Sequence, residues 1–337
     1  MAPSAGSKRK MTLEEIAKEL GVSKTTVSRA LSGKGRISGE TRARVFDFIS
    51  QSGYDAGAFS RHPEQKPTHN LALVIPSHFV QLDLPFLRKC MGGICRMAAQ
   101  RGYDILLCYA DENNTEQLER QLEARKVDGV ILSRTLLSDP CLELVRRHKV
   151  PFAVTGRLED ETAIQIDNDQ VGAACEMTRL LLQIGMRRIA YIGGSTNYTV
   201  NTDRLRGYLR AMEELGTAPE EKLIYSGVET AEQRLDALDA ALEQAPECLL
   251  CCDDALAFSI LKDLRGRGIE VPKQLRLASL YDSEILLDTV PTISAVQFDA
   301  AALGTVACRA LLDTLAGKEV AHRQIQGYQV ILRESTK

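Results

Sequence analysis

The chain has 337 residues, 44% of them apolar, enough for two or three domains that each bury a core. Its formal charge of −3 hides an uneven distribution: residues through Lys66 carry 12 Lys plus Arg against 7 Asp plus Glu, and the remainder 30 against 38. A basic front suits contact with phosphates, and the lack of any signal-peptide or membrane-length apolar run argues against exported and membrane-embedded classes, so a soluble cytoplasmic protein is expected.

Residues 1–10 read as a flexible arm with Lys8, Arg9 and Lys10. Thr12 followed by Glu15 has the reciprocal capping pattern that starts a helix. Leu13, Ile16, Ala17 and Leu20 then recur at helical spacing, and Gly21 can end the helix at positive φ. Val22 fills the corner, Ser23 caps a second helix, and Val27, Ala30 and Leu31 give it a buried side. Lys24, Thr25, Thr26, Ser28 and Arg29 are left to face outward. Two such helices around a tight turn form a helix-turn-helix, whose second helix offers its first residues to base edges while hydroxyls hold phosphates. Thr12, Ser23, Lys24, Thr25, Thr26, Ser28 and Arg29 are therefore candidate DNA contacts, with Arg29 able to chelate guanine or clamp a phosphate. The plain alternative is a pair of solvated amphipathic helices. Capping box, turn glycine, hydroxyl-rich second helix and basic flank coincide here and argue against it. Ser38 caps a third helix over 39–52, with Val45, Phe48 and Ile49 inward, closing a three-helix head over 11–53.

This segment resembles the N-terminal signature of the lactose/galactose repressor (LacI/GalR) family, T-x-x-[DE]-[IV]-A-x-x-[AL]-G-V-S-x-x-T-V-S-R. Thr12, Glu15, Ile16, Ala17, Leu20, Gly21, Val22, Ser23, Thr26, Val27, Ser28 and Arg29 supply it in register. The resemblance implies a hinge helix in the next stretch, where a leucine from each subunit wedges into the minor groove. Residues 54–70 read as a linker, contain no leucine, and place Pro63 near the wedge position, where a helix interior would lose about 3 kcal/mol. Phe59 is the candidate replacement wedge; a solvated linker with Phe59 resting on the head is the open alternative.

From Leu71 to Lys337 short apolar runs alternate with helical ones. Strands are expected at 71–76, 104–110, 127–133 and 151–156, with helices at about 84–101, 115–125 and 140–148. The pattern recurs from Met186 onward, which predicts two lobes of parallel sheet with a cleft at the carboxyl ends of their strands. The expected fold class is thus α/β: a helix-turn-helix head and a two-lobed body over 71–337. That body resembles periplasmic sugar-binding proteins and the effector domain of the repressor family. The matching pieces include VDGVIL at 127–132, RLRGY at 204–208, DDALA at 253–257 and ILREST at 331–336.

Arg204 and Asp253 stand where the resembling family touches its effector, Asp253 replacing the usual asparagine, and Asp282 stands where many members hold a hydroxyl acceptor. Arg157, Ser77 and His78 follow strands and complete a polar ring, while Phe86 and Phe298 could face a sugar ring or pack in the core. The arginines favour an anionic ligand and the aspartates a neutral one, which leaves a sugar, sugar phosphate or polyol open. The nine cysteines lie mostly in apolar runs, including Cys248, Cys251 and Cys252 on one strand, where neighbours point to opposite faces. Buried thiols are expected rather than a metal site, with no cofactor and no enzyme motif. The reading that follows is a transcriptional regulator, a repressor, acting as a homodimer on a palindromic operator under a small-molecule effector. No leucine heptads follow the REST strand, so a dimer rather than a tetramer is expected. A solute-binding or transport protein is the alternative.

Overall fold

The computed structural model describes residues 13–32, 37–39, 41, 44–45, 48, 67–76, 85–217 and 219–337. The chain divides into two compact units, Met1–Pro67 and Thr68–Lys337.

In the first unit, α1 (Leu13–Leu20) ends at Gly21, whose φ of +65° no side chain opposes, and Val22 N–H returns to Ala17 O at 3.0 Å. α2 (Lys24–Ser32) starts at Ser23, whose Oγ accepts from Thr26 N–H at 3.0 Å. Ile16, Ala17, Val27, Ala30 and Val45 are buried together, the last from the third helical stretch, where Ser38 Oγ accepts from Thr41 N–H at 3.2 Å. Arg44 of that stretch donates to Leu20 O at 3.4 Å, satisfying a carbonyl at the end of α1.

The second unit holds two six-stranded sheets. The first is ordered β11-β5-β4-β3-β1-β2, all parallel: β1 (Asn70–Ile75), β2 (Asp104–Tyr109), β3 (Gly129–Leu132), β4 (Phe152–Thr155), β5 (Ile164–Asn168) and β11 (Arg323–Gln326). The second is ordered β12-β10-β9-β8-β6-β7: β6 (Ile189–Ile192), β7 (Ile224–Tyr225), β8 (Cys248–Cys251), β9 (Arg276–Ser279), β10 (Ser294–Phe298) and β12 (Tyr328–Ile331). Here β12 runs antiparallel to β10, a departure from the expected all-parallel pattern. ILREST is not a strand in its second half: Glu334–Thr336 is a single 3-10 turn, and the strand lies earlier, at β12.

Helices cover both sheets, but not in the order of the chain. α3 (Pro85–Gln100) packs on the first sheet together with the late helix Ala300–Leu315, and the two share one core with Leu71, Leu73 and Ile131. Conversely, the helix Gln170–Gln183 follows β5 yet packs on the second sheet, beside Thr199–Glu214. The backbone therefore passes from one lobe to the other three times, after Asn168, after Phe298 and after Gln326. Among the described residues no helix is long and apolar enough to cross a membrane.

The close approach of α3 to Ala300–Leu315 rests on two glycines. A Cβ at Gly93 would strike Ala301 O, and one at Gly304 would strike Cys90 O. Both obstacles are backbone. Gly304→Ala is therefore expected to force the helices apart and to destabilise the body by about 1–3 kcal/mol, read as a lowered melting temperature. Gly266→Ala, whose Cβ meets nothing within 4 Å, serves as the neutral control.

Candidate functional site

Lys24, Thr25 and Arg29 are exposed on α2, one and a half turns apart at the extremes, while its other side is buried. Ser23 and Thr26 hydroxyls lie 2.8 Å from each other and serve the helix start, so part of their bonding capacity is structural. Thr12, Phe59 and the side chain of Ser28 fall outside the described residues.

Within the body, a cleft opens between the lobes, with about 880 Å³ of empty space when its open mouth is included. Phe86, Arg204, Asp253 and Phe298 all line it. Arg204 is buried on the helix Thr199–Glu214, with Nε donating to Gln170 Oε1 at 2.9 Å and Nη1 to Cys252 O at 2.7 Å. Those two bonds fix the guanidinium and leave Nη2 without a protein partner among the described residues. Asp253 caps Asp254–Gly266, its Oδ1 accepting from Leu256 N–H at 2.8 Å. Phe86, at the start of α3, meets Tyr281 edge-on at 5.6 Å, and Tyr281 stacks on Phe298 at 6.4 Å, which makes one wall aromatic.

Two other expected residues are placed differently. Asp282 does not line the cleft: it is buried beneath the C-terminal tail, with Arg333 donating through Nη1 at 2.8 Å and Nη2 at 2.5 Å. A carboxylate doubly bonded to a guanidinium has little acceptor capacity left for a hydroxyl. Arg157 is likewise absent from the lining, because it forks onto Asp203 of the opposite lobe at 3.1 and 3.2 Å. Ser77 and His78 lie outside the described residues. The cleft also gains residues that motif matching passes over: Ser133, Arg134 and Thr135 after β3, Thr155 at the end of β4, Asp167 and Asn168 at the end of β5, and Gln170 beyond it. All stand at or just past the carboxyl end of a strand. The rule that ligands gather there was signal enough for the residues after β3 and β4, but not for those around β5, a strand the sequence does not announce.

Charges at the cleft are mixed. Arg134 lies with its guanidinium 4.5 Å over the Tyr198 ring, and Arg204 is the second cation; Asp167, Asp253 and Asp254 oppose them. Burial pushes the Asp167 carboxyl up to about 6, with Asp203 adding to the rise, while the Asn168 N–H, Arg157 and Arg204 pull it down. Burial likewise raises Asp254. Cys248, Cys251 and Cys252 are buried, their thiols pushed up by desolvation, and no cluster able to hold a metal occurs among the described residues.

The lobes touch around this cleft. Leu136 and Tyr198 form an antiparallel bridge, flanked by Leu137 N–H to Asn197 O at 2.9 Å and Thr199 N–H to Thr135 O at 3.3 Å. The Thr135 and Thr199 hydroxyls are also bonded to each other.

Comparison with known proteins finds a family match within each of the two units. Residues 12–56 match the bacterial regulatory proteins of the lacI family, and residues 178–336 match the periplasmic binding protein-like domain. The HTH-type transcriptional regulator AscG of Escherichia coli (strain K12) is 31% identical over 294 residues, covering 85% of this chain and 86% of AscG. The HTH-type transcriptional regulator CelR of Thermobifida fusca is 27% identical over 336 residues, covering 97% of this chain and 99% of its own. A solved structure of a transcriptional regulator CelR–cellobiose complex superposes with a TM-score of 0.75 at 26% identity, covering 97% of this chain and 100% of that one.

Asp167 generates a pH test. Its carboxyl is higher in the folded protein, about 6, than the usual 3.8, so the folded state holds the proton more tightly. That contribution to stability is complete below about pH 4 and is lost as the pH rises through about 6. Asp167→Asn is expected to flatten the pH 4–6 part of the ligand-free stability profile and to gain about 2–3 kcal/mol at pH 7. Chemical denaturation across that range measures it, and an unaltered profile would refute the assignment.

Proposed function

The chain belongs to the lacI family of bacterial regulatory proteins, and from that premise we propose that this DNA-binding transcriptional regulator is a repressor that grips a palindromic operator as a homodimer under control of a sugar or sugar derivative. The domain division it requires is a basic arm over 1–10, a reading head over 11–53, a linker over 54–70 and an effector and dimerisation body over 71–337. Lys24, Thr25 and Arg29, exposed at the front of α2, are the base- and phosphate-reading residues. Thr12, Ser23, Thr26 and Ser28 hold the backbone of the DNA, and Phe59 enters the minor groove.

The observation that carries the effector reading is Arg204, clamped from two sides with one nitrogen left over, in a cleft that also has an aromatic wall. Its surroundings support a ligand with an apolar ring face and several polar substituents. The CelR structure with cellobiose, from a relative that aligns over nearly the whole chain, supports a saccharide. Effector binding can change operator affinity only through its preference between two arrangements of the lobes, and we assign the contacts around Leu136 and Tyr198 to the closed one. The relatives named above are transcriptional regulators, and no catalytic role is assigned. A solute-transport role leaves the head without a use.

Two substitutions separate the two sites. Arg29→Ala is expected to lower affinity for an operator selected from random duplexes by the wild type at least about 100-fold, on the order of the loss of one or two guanidinium contacts. Sugar-induced thermal stabilisation should be unchanged in it. Arg204→Lys should reverse the pattern, keeping operator affinity and losing the sugar-induced shift. Light scattering should give a dimer; a monomer or tetramer contradicts the reading.

A further inference from the structure

Three side chains of the cleft, Ser133, Asn168 and Asp254, are buried with an oxygen that has no hydrogen-bond partner among the described residues. Ser133, just past β3, and Asn168, at the end of β5, are each 3% exposed, and neither Ser133 Oγ nor Asn168 Oδ1 has a hydrogen-bond partner. Leaving such an atom unpaired costs about 1–3 kcal/mol, and folded proteins pair nearly all of them. Leftover atoms on a cleft wall therefore mark where polar atoms of a ligand go. An amide Oδ1 only accepts, so its complement is a hydroxyl or an N–H.

The neighbours have the same preference. Asp167 precedes Asn168, and Asp253 and Asp254 stand at the end of β8 in the other lobe, all carboxyls that accept when ionised. Among the described lining residues two guanidiniums oppose these three carboxyls, and one of the two, Arg134, is stacked over Tyr198. Arg157, which could have answered a phosphate, is forked onto Asp203 instead. A phosphate ester exchanges one hydroxyl donor for a group with close to two negative charges and no donor at neutral pH. Set in this cleft that group would meet an excess of carboxylate, and against Asn168 Oδ1 it would supply no hydrogen. The hydroxyls of a sugar can satisfy Asn168 and Ser133, and the C–H face of a pyranose suits the wall of Phe86, Tyr281 and Phe298.

We propose that the cleft selects an uncharged saccharide over its phosphate ester, with Ser133 and Asn168 as the specificity-determining contacts that receive its hydroxyls. The inference rests on the reading of this cleft as the effector site.

Calorimetric titration of the full-length protein with glucose, maltose and cellobiose, each beside its 6-phosphate, tests it. At least one neutral sugar should bind, with its phosphate weaker by about tenfold or more. Ser133→Ala and Asn168→Leu should each weaken the neutral sugar several-fold while the ligand-free melting temperature holds or rises, because each removes an unsatisfied atom. A purely structural role for either residue would lower that temperature instead. A phosphate ester that binds as tightly as its parent sugar, or more tightly, overturns the inference and leaves the sugar site standing. Neutral binding untouched by both substitutions overturns the assignment of Ser133 and Asn168. If no compound of either kind binds at millimolar concentration, the sugar reading falls and the inference with it.

Discussion

Three short backbone passages join the two sheets of the body, and every property of the cleft depends on them. They run from Asn168 to Gln170, from Phe298 to Ala300 and from Gln326 to Tyr328, each within about two residues of a strand end. Asp169 N–H donates to Gln326 O at 3.2 Å, so two of the passages are bonded to each other. Segments this short cannot let the lobes part, but a few changes of φ and ψ in them allow rotation, which is the ordinary construction of a hinge. Asn168, Gln170 and Phe298 belong to these passages and also line the cleft. A ligand held there touches the hinge itself.

Against that hinge, the contacts between lobes are numerous and individually modest. The Lys89–Glu284 pair is exposed on both sides and is worth at most about 1 kcal/mol. The fork of Arg157 on Asp203 is better shielded, and the bridge at Leu136 and Tyr198 adds main-chain bonds that two separated lobes would give to water. Closure is thus a balance rather than a lock. A balance of this size can be shifted by a small molecule that favours one side by a few kcal/mol.

The head was legible because all its determinants are local. Ser23, Gly21 and the spacing of Ile16, Ala17, Val27 and Ala30 fix the caps, the turn and the buried side within twenty residues, and the structure places them so. The same local logic found most strands whose runs are purely apolar, such as β1 and β8. It passed over β5 and β11, because IQIDN ends in the polar residues that face the cleft and RQIQ alternates at an edge, so neither resembles a buried strand. Arg157 and Asp282 could not be placed from sequence at all. Their partners, Asp203 and Arg333, lie 46 and 51 positions away, and no spacing rule announces a pairing over such a distance.

The sequence by itself determined the kind of molecule: a basic helix-turn-helix reader followed by paired α/β lobes. Those features depend on residues within a turn or two of one another, where covalent geometry and side-chain period decide the outcome. Only the tertiary structure decided which polar groups remain available to a ligand. Availability is what is left after distant side chains have paired, and that remainder exists only once both lobes and the three passages between them are in place.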